Sequence, residues 1–79
     1  MDLNNELMER LRNSLPTAFG RAAVDRLLPG IISSKSLANL GSAGLGPKSF
    51  KHGRKVFYEK DTFLDWFSRR VRGVEGGRE

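Results

Sequence analysis

Residues 33–58 read SSKSLANLGSAGLGPKSFKHGRKVFY, and this stretch decides what the chain is. It opens with hydroxyl residues that favour helix N-caps, Ser33 and Ser34, and the helix they predict runs from Lys35 to about Ala43. Leu37 and Leu40, at i and i+3, give it an inward face with Ala38 nearby. Gly41 weakens that helix by roughly 1 kcal/mol relative to alanine. Gly44 closes it as the residue that enters the left-handed region. After Leu45-Gly46-Pro47 the pattern changes to a hairpin. Ser49–Lys51 form its first strand, His52-Gly53-Arg54 its turn and Lys55–Tyr58 its second strand. A lone hairpin is marginal in water, so Phe50, Val56 and Tyr58 are expected to pack on helices.

The charge is distributed unevenly. The chain carries 14 basic and 9 acidic residues, a net charge of +5. The segments 1–30 and 59–79 are each neutral, so Lys35, Lys48, Lys51, Arg54 and Lys55 hold the whole excess in a stretch with no acid. A polyanion is the simplest partner for such a segment, and the alternative is a solvated face. Glycine and proline interrupt the segment, which excludes one long basic amphipathic helix of the kind that lies on a membrane.

Outside this stretch, Leu3, Leu7 and Leu11 with Met8 predict a helix over about 2–14, stopped by Pro16. A second helix is expected from Thr17 or Ala18 to Leu28, ended by Pro29-Gly30. Ile31 and Ile32, one or both, should plug the space before the next helix. The last helix should run from Lys60 or Asp61, with Asp61 as its cap, to about Arg72. Phe63, Leu64, Trp66, Phe67 and Val71 form its stripe. Tyr58 and Trp66 are expected in the core rather than as a stacking platform. Residues 1–72 are expected to form one domain, with 1–15 an additional N-terminal helix, and 73–79 a disordered tail. The leucine stripe of that N-terminal helix either folds back on the other helices, the favoured reading, or pairs two protomers.

Seventy-nine residues with no cysteine and one histidine exclude disulfides, cysteine-ligated zinc and any site needing two imidazoles. No catalytic or metal-binding residues are expected and no cofactor. The glycine-rich GSAGLGP stretch lacks the Lys-Ser/Thr ending of a phosphate loop. No apolar run is long enough for a membrane span, and the opening residues lack the pattern of a secretory signal, so a cytoplasmic location is expected.

Helix, tight turn, short polar helix, basic hairpin, packing helix is the layout of a winged helix-turn-helix, a mainly α fold with a small β-hairpin. Ser33, Ser34, Lys35, Ser36 and Asn39 would face the major groove, and Lys48, Lys51, His52, Arg54 and Lys55 would line the wing. The N-terminus of the short helix favours a phosphate, and whichever of Ser33 and Ser34 is not the cap is left for phosphate contact.

Residues 33–66 resemble the helix-turn-helix domain of the excisionase and MerR-like families, including the small AlpA-like regulators of prophages. The resemblance rests on Ser36-Leu37, Gly44-Leu45-Gly46-Pro47, Lys51, Gly53-Arg54-Lys55-Val56, Tyr58, Phe63-Leu64 and Trp66. It implies a DNA-binding fold that acts in transcription control, site-specific excision or both, with double-stranded DNA as partner. It also implies homodimers or cooperative arrays on DNA and, for an excision role, an integrase or recombinase partner. The chain differs from the family in a longer, apolar connector, Leu28–Ile32, and in a small, weakly charged short helix. A protein-interaction adaptor or inhibitor on the same fold, without base readout, is the alternative reading.

Overall fold

The computed structural model describes residues 3–71. Among them are four α-helices and a three-stranded antiparallel sheet, an α+β fold. The order is α1 (Leu3–Ser14), β1 (Ala18–Gly20), a 3₁₀ turn (Arg21–Ala23), α2 (Val24–Leu27), α3 (Ser34–Ser42), β2 (Phe50–His52), β3 (Lys55–Glu59) and α4 (Lys60–Arg70). The expected tail, 73–79, lies outside the described residues.

The largest departure from the sequence expectation is in 17–28. A single helix was predicted there, but the segment begins as a strand, tightens through the 3₁₀ turn and makes only a four-residue helix. The sheet therefore has three strands in the order β1-β3-β2, rather than a lone hairpin. The cause is tertiary. β1 pairs antiparallel with β3, Phe19 opposite Tyr58, so both side chains point to one face of the sheet. There Phe19 sits edge-on to Phe63 at 5.1 Å between centroids. The Lys60 amide donates to the Thr17 carbonyl and extends the contact to the start of α4.

Among the described elements α4 contributes the most buried side chains. Phe63, Leu64 and Phe67 are buried, together with Val24, Leu28, Leu37 and Tyr58. Met8, Leu11 and Leu15 join the same cluster. The leucine stripe of α1 thus folds back onto α4, as a thin core requires. Leu7 remains exposed, and the Leu3 side chain lies outside what is described. The Lys60 ammonium donates to the carbonyls of Arg12 and Leu15 and satisfies acceptors left over at the end of α1.

Three local expectations change. Glu59, not Asp61, caps α4: its carboxylate accepts from the Thr62 amide and hydroxyl. Asp61 instead pairs with Arg12 across to α1. Ile32 packs on the core, whereas Ile31 is exposed. Phe50 does not pack on the helices. It lies opposite Phe57 in the β2–β3 register and shares that residue's face, whereas Val56 and Tyr58 occupy the other.

Among the described residues three glycines have positive φ, and two of them shape the elements around the basic segment. Gly44, at φ +76°, completes a Schellman closure of α3. In it the Leu45 amide donates to the Leu40 carbonyl at 2.8 Å and the Gly44 amide to that of Gly41 at 3.1 Å. Gly53, at φ +63°, takes the first place of the two-residue hairpin turn, and Arg54 follows with negative φ, the type II′ pattern.

Candidate nucleic-acid interface

The start of α3 is built by three serines and one acid. Ser33 is the N-cap: its hydroxyl accepts from the Ser36 amide and donates to the Ser36 hydroxyl, both at 3.0 Å. The Ser34 amide and hydroxyl both donate to the Asp25 carboxylate, at 2.9 and 2.7 Å. Asp25 belongs to α2, so one carboxylate ties α2 to the beginning of α3 and fixes how the two helices meet.

This arrangement corrects the expectation that Ser33 or Ser34 is left for phosphate. Ser33 serves as the cap, and the Ser34 donors are spent on Asp25. The anion at the positive end of α3 is already supplied from within the chain.

On a 3.6-residue period, Lys35, Asn39 and Ser42 fall on the side of α3 opposite the fully buried Leu37, and all three are exposed. They form a ridge with a groove on either side. One groove, of about 590 Å³, lies between α3 and the hairpin. Lys35 and Ala38 line it from α3, Arg54, Lys55 and Val56 from the hairpin, Gly20 from β1 and Arg21 to Ala23 from the 3₁₀ turn. Three of the sequence-predicted cations thus meet around one concavity.

A fourth cation, Arg21, lines the same groove and was missed in the sequence. It sits in a charge-balanced segment that pattern alone assigns to a helix. Its Nε donates to the Tyr58 hydroxyl at 2.9 Å, which satisfies that buried side chain's polar end and holds the guanidinium at the groove wall. A lone arginine gives no sequence signal for this role.

The remaining predicted residues lie elsewhere. Ser36 and Asn39 line the opposite groove, about 690 Å³, whose walls are largely apolar: Leu7, Leu11, Ile31, Leu40 and Phe67 among them. Lys51 pairs with Val56 and lies on the helix side of the sheet, exposed. His52 is the last residue of β2 rather than part of the turn, and with its partner Lys55 it lies on the outer face. The Lys48 ammonium is 5.7 Å from the centroid of the Phe50 ring. Of the arginines at the end of α4, Arg69 pairs with Asp65 at 3.1 Å and Arg70 lies over Trp66. Arg72 is outside the described residues.

Among the described residues, two carboxylates are held below their ordinary range. For Asp25 the cause is first the Ser34 hydroxyl, then the Ser34 amide. For Glu59 it is first the Thr62 hydroxyl, then the Thr62 amide. A depressed folded-state pKa contributes stability above the unfolded value and loses it as pH falls through the folded one. Acid should therefore lower the melting temperature increasingly below about pH 4. Circular-dichroism melts should show a shallower acid loss for the Asp25→Asn, Glu59→Gln double variant. Identical profiles for both proteins would contradict this assignment.

Among the described residues, no group of three or more His, Asp or Glu side chains could hold a metal ion. Nor is any helix among them long and apolar enough to cross a membrane. Compared with known protein families, curated proteins and solved structures, the chain matches none.

Proposed function

We propose that the protein binds double-stranded DNA sequence-specifically as a winged helix-turn-helix and works in the cytoplasm as a transcriptional regulator or excision factor of mobile-element type. The carrying observation is the groove in which Lys35, Arg54 and Lys55 converge with Arg21 beside the exposed ridge of α3. The major groove of B-DNA admits one α-helix. With α3 seated there, Lys35, Asn39 and Ser42 reach base edges, and Arg54 and Lys55 grip the adjacent backbone. Phosphate contact comes from the hairpin and Arg21 rather than from the start of α3, because Asp25 occupies that position. The net charge of +5 draws the protein to DNA before any sequence is read.

The apolar groove on the other flank of α3 favours a second reading, an adaptor or inhibitor that binds a protein. Binding to duplexes selected from a random pool, measured from low to moderate salt, separates the two. DNA binding predicts a log–log salt slope of roughly −3 to −5, from about 0.9 per phosphate contacted. A slope near zero, or no duplex bound, overturns it.

A further inference from the structure

Apart from Lys55 beside the turn, the outer face of the sheet has no role in duplex binding. Phe50 and Phe57 stack across the hairpin at 5.5 Å between centroids with 23° between their planes. Phe50 is 39% exposed, although it has an aromatic partner across the hairpin. Val56, in the same strand as Phe57 but on the opposite side, packs on the core. Lys48 lies over the Phe50 ring, and His52 and Lys55 occupy the next register position toward the turn on this same face. The segment 31–58 contains no acid. The acid that strand alternation adds to this face, Glu59, has its carboxylate engaged by Thr62.

A cross-strand aromatic pair stabilises a hairpin by packing alone. Packing does not account for an aromatic left open to water between Lys48 and Lys55, on a face whose one strand acid, Glu59, is turned to Thr62 at the start of α4. Every nucleobase has a π-face, and every unpaired nucleotide brings one phosphate. An exposed aromatic flanked by lysines is complementary to both at once.

We infer that the Phe50–Phe57 face binds single-stranded DNA, one unpaired base stacking on Phe50 while Lys48 and His52 meet the flanking phosphates. The choice of DNA over RNA rests on the duplex-binding reading, because the turn of the same hairpin carries Arg54 to the groove beside α3. The stacking itself does not depend on that reading.

The test compares a ten-nucleotide oligo-dT strand, the equivalent oligo-U and a blunt duplex, using the whole protein. Phe50→Ala should weaken oligo-dT binding about tenfold or more, as loss of one stacked base does. Phe50→Leu retains apolar packing in the hairpin and should weaken it comparably, with an unchanged circular-dichroism spectrum. Phe50→Trp should restore it. Blunt-duplex binding should be the same in all three. An oligo-dT strand carrying 5-iodouracil should photo-crosslink to the peptide containing Phe50. Retention of full oligo-dT affinity by Phe50→Leu, or crosslinks only to the α3 groove, overturns the site. Tighter binding of oligo-U than of oligo-dT overturns the assignment to DNA. A blunt duplex that fails to bind while oligo-dT binds through Phe50 removes the duplex reading and leaves the stacking site standing.

Discussion

Replacing Phe63 by alanine should remove a quarter or more of the protein's folding stability. Phe63 has no exposed surface, and its ring lies within about 6 Å of four other rings: Phe19, Tyr58, Trp66 and Phe67. Truncating a buried phenylalanine costs about 3–5 kcal/mol, because the surrounding side chains collapse only partly into the space it leaves. At about 0.05–0.15 kcal/mol per residue, a chain of this length has only roughly 4–12 kcal/mol to lose. Phe63 also touches Phe19 of β1 and Tyr58 of β3, so its loss loosens the sheet as well as α4. Urea denaturation followed by circular dichroism should show the midpoint fall by a quarter or more. Ile31→Ala, at a site 51% exposed, should move it little. A loss under about 1.5 kcal/mol for Phe63→Ala would mean that this cluster is not the keystone of the core.

The second large effect concerns binding. Arg54→Ala combined with Lys55→Ala removes two of the four cations lining the groove between α3 and the hairpin. Both are exposed, and neither contributes to the core, so the melting curve should hardly change. Under the duplex-binding proposal, two lost phosphate contacts reduce the steepness of the log–log salt dependence by about 1.8. Affinity at low salt should fall roughly tenfold or more, by a similar factor for every sequence, because phosphates carry no sequence information. Asn39→Ala makes the contrast. It lies on the α3 ridge and should change which duplex is preferred while leaving the salt slope intact. An unchanged slope in the double variant would place the phosphate contacts on another surface.

The helices with strong periodicity were legible in advance. The α1 stripe, the α4 stripe, a serine cap before α3 and the closure at Gly44 are all local, although the choice of Ser33 over Ser34 as cap came only with the structure. The hairpin was legible for the same reason, from Gly53 between two short runs, but its turn is the two residues Gly53-Arg54 rather than the three expected, with His52 paired to Lys55. The segment 17–28 was not. Ala22, Ala23, Val24, Leu27 and Leu28 satisfy a helical pattern, and nothing local shows that Phe19 will pair with Tyr58 some forty residues away. That partner lies on β3, and its edge attracts a strand only once the chain has folded.

Among the candidate site residues the same division holds. The acid-free basic segment, readable by counting, located Lys35, Arg54 and Lys55. Arg21 and Asp25 were hidden, because their roles come from side chains that meet across the fold: Tyr58 for one, Ser34 for the other. The serines that looked available as phosphate ligands proved to be structural, for a hydroxyl's partner is decided by whatever carboxylate or amide lies within about 3 Å of it.

Sequence alone determined the helical stripes, the hairpin and the confinement of positive charge to residues 31–58, since short-range periodicity and charge counts need no knowledge of where distant residues lie. Only tertiary structure decided the third strand, the split of the basic residues between a groove and an outer face, and the exposure of Phe50. Each of these depends on strand register, and register is set by pairing between segments far apart in the chain.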